Sequence, residues 1–130
     1  MESRALSDAQ ISASSEWDPN HAAIQGRMNF QAGDGKSGAW SAKQNDQNQW
    51  LQADLGRSKK ITHLATQGRN AYNQWVTSYK VEYSNNGVSF HCYQEHGIDK
   101  VCELTYTCLV HPSGNLLRPI LHPCKQKTNL

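Results

Sequence analysis

Trp75, Thr77, Tyr79, Val81 and Tyr83 alternate with Val76, Ser78, Lys80 and Glu82, an order that no helix can use. A period of two sends the first set to one face and the second to the other, so the run predicts a strand with one buried and one wet face. Ser84-Asn85-Asn86-Gly87 follows, then Val88-Ser89-Phe90. Asn-Gly accepts the positive φ angles of a tight turn, which makes this a hairpin. Gln10 to Ser14, Trp50 to Leu55 and Lys60 to Thr66 are further short strands, with Gly56-Arg57-Ser58 as a turn between the last two. Residues 15–49 are long polar connections holding four glycines, Gly26, Gly33, Gly35 and Gly38. No amphipathic helix of useful length competes. The chain is therefore expected to be all-β, an antiparallel barrel or sandwich whose loops carry function.

At 130 residues there is room for one small domain, and a hydrophobic content of 37% with a mean hydropathy of -0.75 makes it a polar one. No run approaches the roughly 18 apolar residues of a membrane span. Met1-Glu2-Ser3-Arg4 leads into no apolar segment of signal-peptide type. The net charge is +2, but residues 1–97 carry nine basic and nine acidic groups, and residues 98–130 carry four and two. A neutral body lacks the basic stripe that phosphate neutralisation requires, so nucleic acid is not expected as a partner. The same balance disfavours a polybasic membrane patch and leaves apolar insertion or headgroup contact open.

All four cysteines, Cys92, Cys102, Cys108 and Cys124, fall in the last 39 residues, beside His91, His96, His111 and His122. None can staple the body. There is no CxxC, and only His91-Cys92 and His122-Pro123-Cys124 approach the paired spacing of zinc ligands. Two readings stay open: unpaired or irregularly paired thiols, and a zinc-binding tail that would make the chain an intracellular interaction protein. Asp18, Asp34 and Asp46 are isolated candidates for calcium without a ligand string, and no cofactor is called for.

A series of ordered blocks identifies a family. Asp8-Ala9-Gln10-Ile11-Ser12-Ala13-Ser14-Ser15 is followed by Gly26-Arg27-Met28-Asn29 and Gly38-Ala39-Trp40. Then come Gln49-Trp50-Leu51-Gln52-Ala53-Asp54-Leu55-Gly56, Lys60-Ile61-Thr62 and Ala65-Thr66-Gln67-Gly68-Arg69. Trp75-Val76-Thr77-Ser78-Tyr79-Lys80-Val81 and Tyr83-Ser84-Asn85-Asn86-Gly87-Val88 close the series. Over residues 1–93 the chain resembles a discoidin domain, also called the coagulation factor 5/8 type C domain. The resemblance implies an eight-stranded antiparallel β-barrel, a distorted galactose-binding-like jelly roll with binding loops at one end. It further implies a non-catalytic, extracellular or cell-surface adhesion module. The implied partners are a cell-surface or matrix glycan or protein, or a phospholipid headgroup.

Both ends depart from the family pattern. The family opens with a cysteine and pairs it with one in a closing motif; Met1-Glu2-Ser3 resembles the interior of the opening segment, and no closing motif is present. The resemblance thus implies a partial domain at 1–100, a divergent or aberrant tail at 101–130, no terminal disulfide, and barrel-closing strands missing or replaced. Pro112, Pro119 and Pro123 fit poorly in central strands, which favours a truncated or mis-spliced tail over rebuilt strands. A non-functional gene fragment is a further alternative.

By position in the family pattern, residues 16–24 form the first binding loop, 70–74 the third, and 31–37 lie between. The ligand-binding candidates are Trp17, Asn20, His21, Arg69, Tyr72 and Gln74. Exposed aromatics offer apolar faces at low entropic cost, and an arginine offers a fixed fork of donors, although such an arginine more often bridges loops. The surrounding Asp18, Asn70 and Asn73 make these loops more polar than membrane-piercing, which suits a glycan or protein. Trp40, Trp50 and Trp75 are expected in the core, and Asp54 with Arg27 is a candidate internal ion pair. Gly35-Lys36-Ser37 resembles the end of a phosphate-binding loop, but Phe30 stands where that loop needs glycine. No nucleophile elbow, zincin helix or paired-carboxylate motif occurs.

Overall fold

The computed structural model describes residues 5–103, 108–109 and 113–121. Its strands are β1 (Ile11–Ala13), β2 (Leu51–Lys60), β3 (His63–Leu64), β4 (Ser78–Ser84) and β5 (His91–Cys92). They continue with β6 (Gln94–Glu95), β7 (Ile98–Asp99), β8 (Val101–Glu103), β9 (Cys108–Leu109) and β10 (Ser113–Leu121). Every pairing is antiparallel. The main sheet runs β1-β2-β10-β4, and β5 and β8 share the far edge of β4. β3 pairs with β9 and β6 with β7 in two small ribbons. Short 3-10 turns at Asp8–Gln10, Pro19–His21 and Ala23–Gly26 are the helical elements among the described residues.

The alternation of the central run is realised from Ser78 on, in β4; residues 75–77 lie before the strand, and Val76, expected on the wet face, packs against the core. Tyr79 and Val81 are buried with Cys102 and Cys108, and Ile61, Leu64, Val76, Tyr83 and Tyr93 pack around them. Ser78, Lys80 and Glu82 stay half-buried on the other face. Burial pushes the Tyr79 phenol above its ordinary value. The period breaks at Ser84, which is also buried. A Cβ at Gly114 would stand 2.8 Å from the Ser84 carbonyl oxygen, so β10 reaches β4 here only with glycine. The expected hairpin forms: Glu82 is opposite Cys92 and Tyr83 opposite His91. Its turn is held by Ser84 Oγ, which accepts from Gly87 N at 3.0 Å, and by Asn86 Oδ1, which accepts from Val88 N and Ser89 N, each at 2.9 Å.

Three sequence expectations are corrected. Gly56-Arg57-Ser58 does not end a strand, because β2 runs through it to Lys60. The turn signal marks a bulge instead. Gly114 pairs with Lys59 and Leu116 with Asp54, so residues 55–58 oppose the single residue Asn115, with Gly56 at φ 71 and its N–H held by Asp54 Oδ1 at 2.7 Å. Arg27 does not meet Asp54; its Nη2 donates to Asp8 Oδ1 at 2.6 Å and to the Leu6 carbonyl at 2.9 Å.

Pro119 does stand in a central strand, since β10 lies between β2 and β4. Its register with β2 ends at Leu117, opposite Ala53, two residues before Pro119, so the missing amide hydrogen costs β2 no ladder bond. Arg118 anchors the strand to the body. Its guanidinium lies 4.0 Å from the Trp50 ring centre and 3.7 Å from that of Phe90, and its Nε donates to Gln52 Oε1.

Cys102 and Cys108 are joined in a disulfide, which takes two of the four thiolates away from the zinc reading. Cys102 is opposite Tyr79 in the main sheet and Cys108 opposite Leu64 in the small one, so the bridge ties the two together across the core. Cys92 is free. His111, His122 and Cys124 lie outside the described residues.

Candidate functional site

The loops expected to bind are laced to one another by buried amides. Gln25, 2% exposed, directs Oε1 at three donors of the second loop: Ser37 N at 2.9 Å, Gly38 N at 3.2 Å and Ser37 Oγ at 3.3 Å. Gly38 at φ 79 lies so near Ala32 N that a Cβ would stand 2.8 Å from it, and only glycine permits that approach. The Ser37 amide also donates to the Asn20 carbonyl, which ties the first loop to the second. Asn70 Oδ1 accepts from Ala32 N at 3.0 Å and joins the third.

Within the first loop, Asp18 caps the turn Pro19–His21 by accepting from Asn20 N at 2.8 Å, and its Oδ1 lies 2.7 Å from His21 Nδ1. The bond to His21 and that from the Asn20 amide hold the Asp18 carboxyl below the usual carboxylate range. Trp17 N donates to Ser41 O and Ser41 N to His21 O.

These contacts enclose a cleft of about 360 Å³, within the ordinary size of small-ligand sites. Trp40, Trp75 and Val76 are its half-buried apolar part, with Ala39 and Ala42 beside them. Trp17, His21, Ser41, Gln44, Asn45, Asp46, Gln49, Gln67, Arg69 and Gln74 complete the lining. Of the six candidates, Trp17, His21, Arg69 and Gln74 thus come together, whereas Asn20 and Tyr72 stand outside the lining. Asn20 is exposed on the first loop. Tyr72 is 60% exposed, and its ring is covered on one face by the Arg69 guanidinium at 4.2 Å. Arg69 bridges loops: its Nε donates to Ser37 O at 3.1 Å and its Nη1 to Gln74 Oε1 at 2.7 Å.

Sequence reasoning missed the other side of the cleft. Trp40 and Trp75 are half-buried cleft residues rather than core, and Trp40 Nε1 donates to the Ser15 carbonyl at 2.9 Å. Residues 44–49 contribute four side chains, Gln44, Asn45, Asp46 and Gln49. The signal was the uninterrupted amide and carboxylate run before Trp50, too polar for a strand and too regular for a random loop.

Comparisons with known proteins agree with this architecture. The F5/8 type C domain family matches residues 10–107. Lactadherin of Rattus norvegicus is 38% identical over 113 residues, covering 78% of this chain and 25% of that protein, so the chain spans about a quarter of its relative's length. Discoidin II of Dictyostelium discoideum superposes with a TM-score of 0.79 at 20% identity, over 89% of this chain and 49% of the other. The Clostridium perfringens module CpGH89CBM32-5, solved in complex with GalNAc-β-1,3-galactose, superposes at 0.60 with 19% identity, over 86% and 82% of the two chains.

Proposed function

Because the chain belongs to the F5/8 type C, or discoidin, domain family, we propose that it is a non-catalytic recognition module of an extracellular or cell-surface protein, binding a glycan through the cleft among its loops. One observation carries this reading. Indole rings from Trp40 and Trp75 line the same cleft as the amides of Gln44, Gln67 and Gln74. A sugar has an apolar ring face that packs on an aromatic and a rim of hydroxyls that exchange hydrogen bonds with amides. The disaccharide bound by the bacterial fold neighbour is consistent with this class of ligand. Adhesion through a matrix or cell-surface glycoprotein is the corresponding biological role.

A second reading, a phospholipid headgroup, is favoured by Trp17 and Tyr72, which are 63% and 60% exposed. Bulky side chains held out on a rigid rim can enter an interface while the cleft takes a headgroup. The test is binding of purified protein to a glycan array and to liposomes with and without phosphatidylserine, repeated with Trp17→Ala and Tyr72→Ala. Weakened binding with a melting temperature nearly unchanged is expected of the Trp17 variant on either ligand and of the Tyr72 variant on liposomes. No binding to any glycan or liposome would remove both readings, and a large loss of thermal stability would make the two aromatics structural.

A further inference from the structure

The cleft contains a carboxylate that is locked at one oxygen and free at the other. Asp46 Oδ1 accepts from Asn48 N at 2.8 Å and from Gln49 Nε2 at 2.9 Å. Gln49 is itself fixed and 7% exposed, with Oε1 accepting from Ser14 Oγ at 2.8 Å and Ser15 Oγ at 2.6 Å, just beyond β1. The orientation of Asp46 is therefore set by the sheet through a rigid amide. Its Oδ2 accepts from no group among the described residues, although Asp46 lines the cleft with Trp40 and Trp75.

Such an oxygen accepts from hydroxyl groups and repels other anionic oxygens, which at neutral pH carry no proton to offer. Arg69, the lining residue with a permanent positive charge, is partly committed to the loops it bridges. Two of its five N–H donors go to Ser37 O and Gln74 Oε1, and one face lies on Tyr72. Its Nε is thereby lost to a side-on bidentate grip on a phosphate or carboxylate.

We propose that Asp46 is the specificity-determining residue of the cleft: its Oδ2 accepts hydroxyls of a neutral sugar and excludes ligands that present a phosphate or carboxylate there, with Gln49 as its positioning residue. The inference rests on the glycan reading above and narrows the ligand class within it. Hydrogen bonds to a charged group are strong enough that losing one changes affinity by about ten-fold.

The experiment is a titration of isotopically labelled protein with neutral methyl hexosides (gluco, galacto and manno) and with the corresponding methyl uronates, following the indole N–H resonances of Trp40 and Trp75. Wild type is expected to bind at least one neutral hexoside about ten-fold or more tighter than its uronate. Asp46→Asn retains an acceptor for the Asn48 amide, and should weaken the neutral sugar by about ten-fold and bring the ratio close to one. If that variant does not fold, Asp46→Ser, which also keeps an acceptor, makes the same comparison. Equal binding of the hexoside and its uronate by wild type, or an unchanged ratio in the variant, overturns the inference and leaves the glycan reading standing. Indole resonances that respond to no sugar overturn both.

Discussion

Gln25 is the residue on which the loop array depends. Its one carbonyl oxygen serves two backbone amides of the second loop, at Ser37 and Gly38, inside a 2% exposed site. Gln25→Leu keeps the volume and leaves both N–H groups without that acceptor. The Ser37 amide keeps the Asn20 carbonyl, so the Gly38 N–H is the one orphaned; a buried orphan costs about 1–3 kcal/mol, and the variant should lose about that much and melt measurably earlier. Denaturant unfolding checks this; an unchanged midpoint would mean that water replaces the side chain. Nothing in the local sequence around Gln25 distinguishes it from Gln31 or Gln44, since its importance comes from donors 12 and 13 residues away. The aromatics were easier to read in type than in place. Trp17 and Tyr72 were recognisable as exposed loop residues from their polar neighbours, whereas Trp40 and Trp75 carry the composition of core residues and line a cleft.

Among the elements, β10 decides whether the sheet is continuous. It lies between β2 and β4 and pairs with both, so shortening the chain to residues 1–110 should leave two facing strand edges unpaired. That variant is expected to lose cooperative unfolding and to aggregate, as read by thermal scanning and size-exclusion chromatography. A sharp transition matching the full chain would instead show that β2 and β4 can close on each other. The Cys102–Cys108 bridge closes a loop of sequence separation six. Such a closure restricts the unfolded chain by about 2 kcal/mol, so the paired Cys102→Ala and Cys108→Ala variant, or reduction of wild type, should lower stability by that order. Stability insensitive to reductant would exclude the bridge.

At the scale of the whole molecule, four surface carboxyls titrate below their ordinary range. The His21 bond lowers Asp18, that of Gln49 lowers Asp46, that of Lys100 lowers Glu95, and those of Gln94 and Lys80 lower Asp99. A folded-state value below the unfolded one means that the unfolded chain binds more protons on acidification. The contribution is therefore complete above the ordinary carboxylate value of about 4 and is lost as pH falls through the lowered ones. Melting temperature should decline progressively on acidification below about pH 4, less steeply in Asp99→Asn. A melting temperature that rises over that range would contradict the assignment.

How much of this was legible follows from which interactions are local. The alternation from Ser78 to Tyr83 and the Asn86-Gly87 turn dictate strand, buried face and hairpin through neighbouring residues alone, whereas Trp75 and Val76 leave that pattern ahead of the strand; the ordered blocks identify the family and its all-β fold. Gly56 marks a deviation of the chain, as its residue type predicts, but not the end of a strand, because a bulge and a turn share a local conformation and differ only in whether a partner strand continues alongside. Pro119 is tolerated in a central strand for a similar reason, since the harm of a missing amide hydrogen depends on where the neighbouring ladder stops. The sequence by itself determined strand periodicity, turn chemistry, family and the polar, aromatic character of the loops. Only the tertiary structure decided the partners of Arg27, the bond between Cys102 and Cys108, the insertion of β10, and the lock on one oxygen of Asp46 that leaves the other free. Those outcomes depend on distances between residues far apart in the chain, which composition and spacing do not encode.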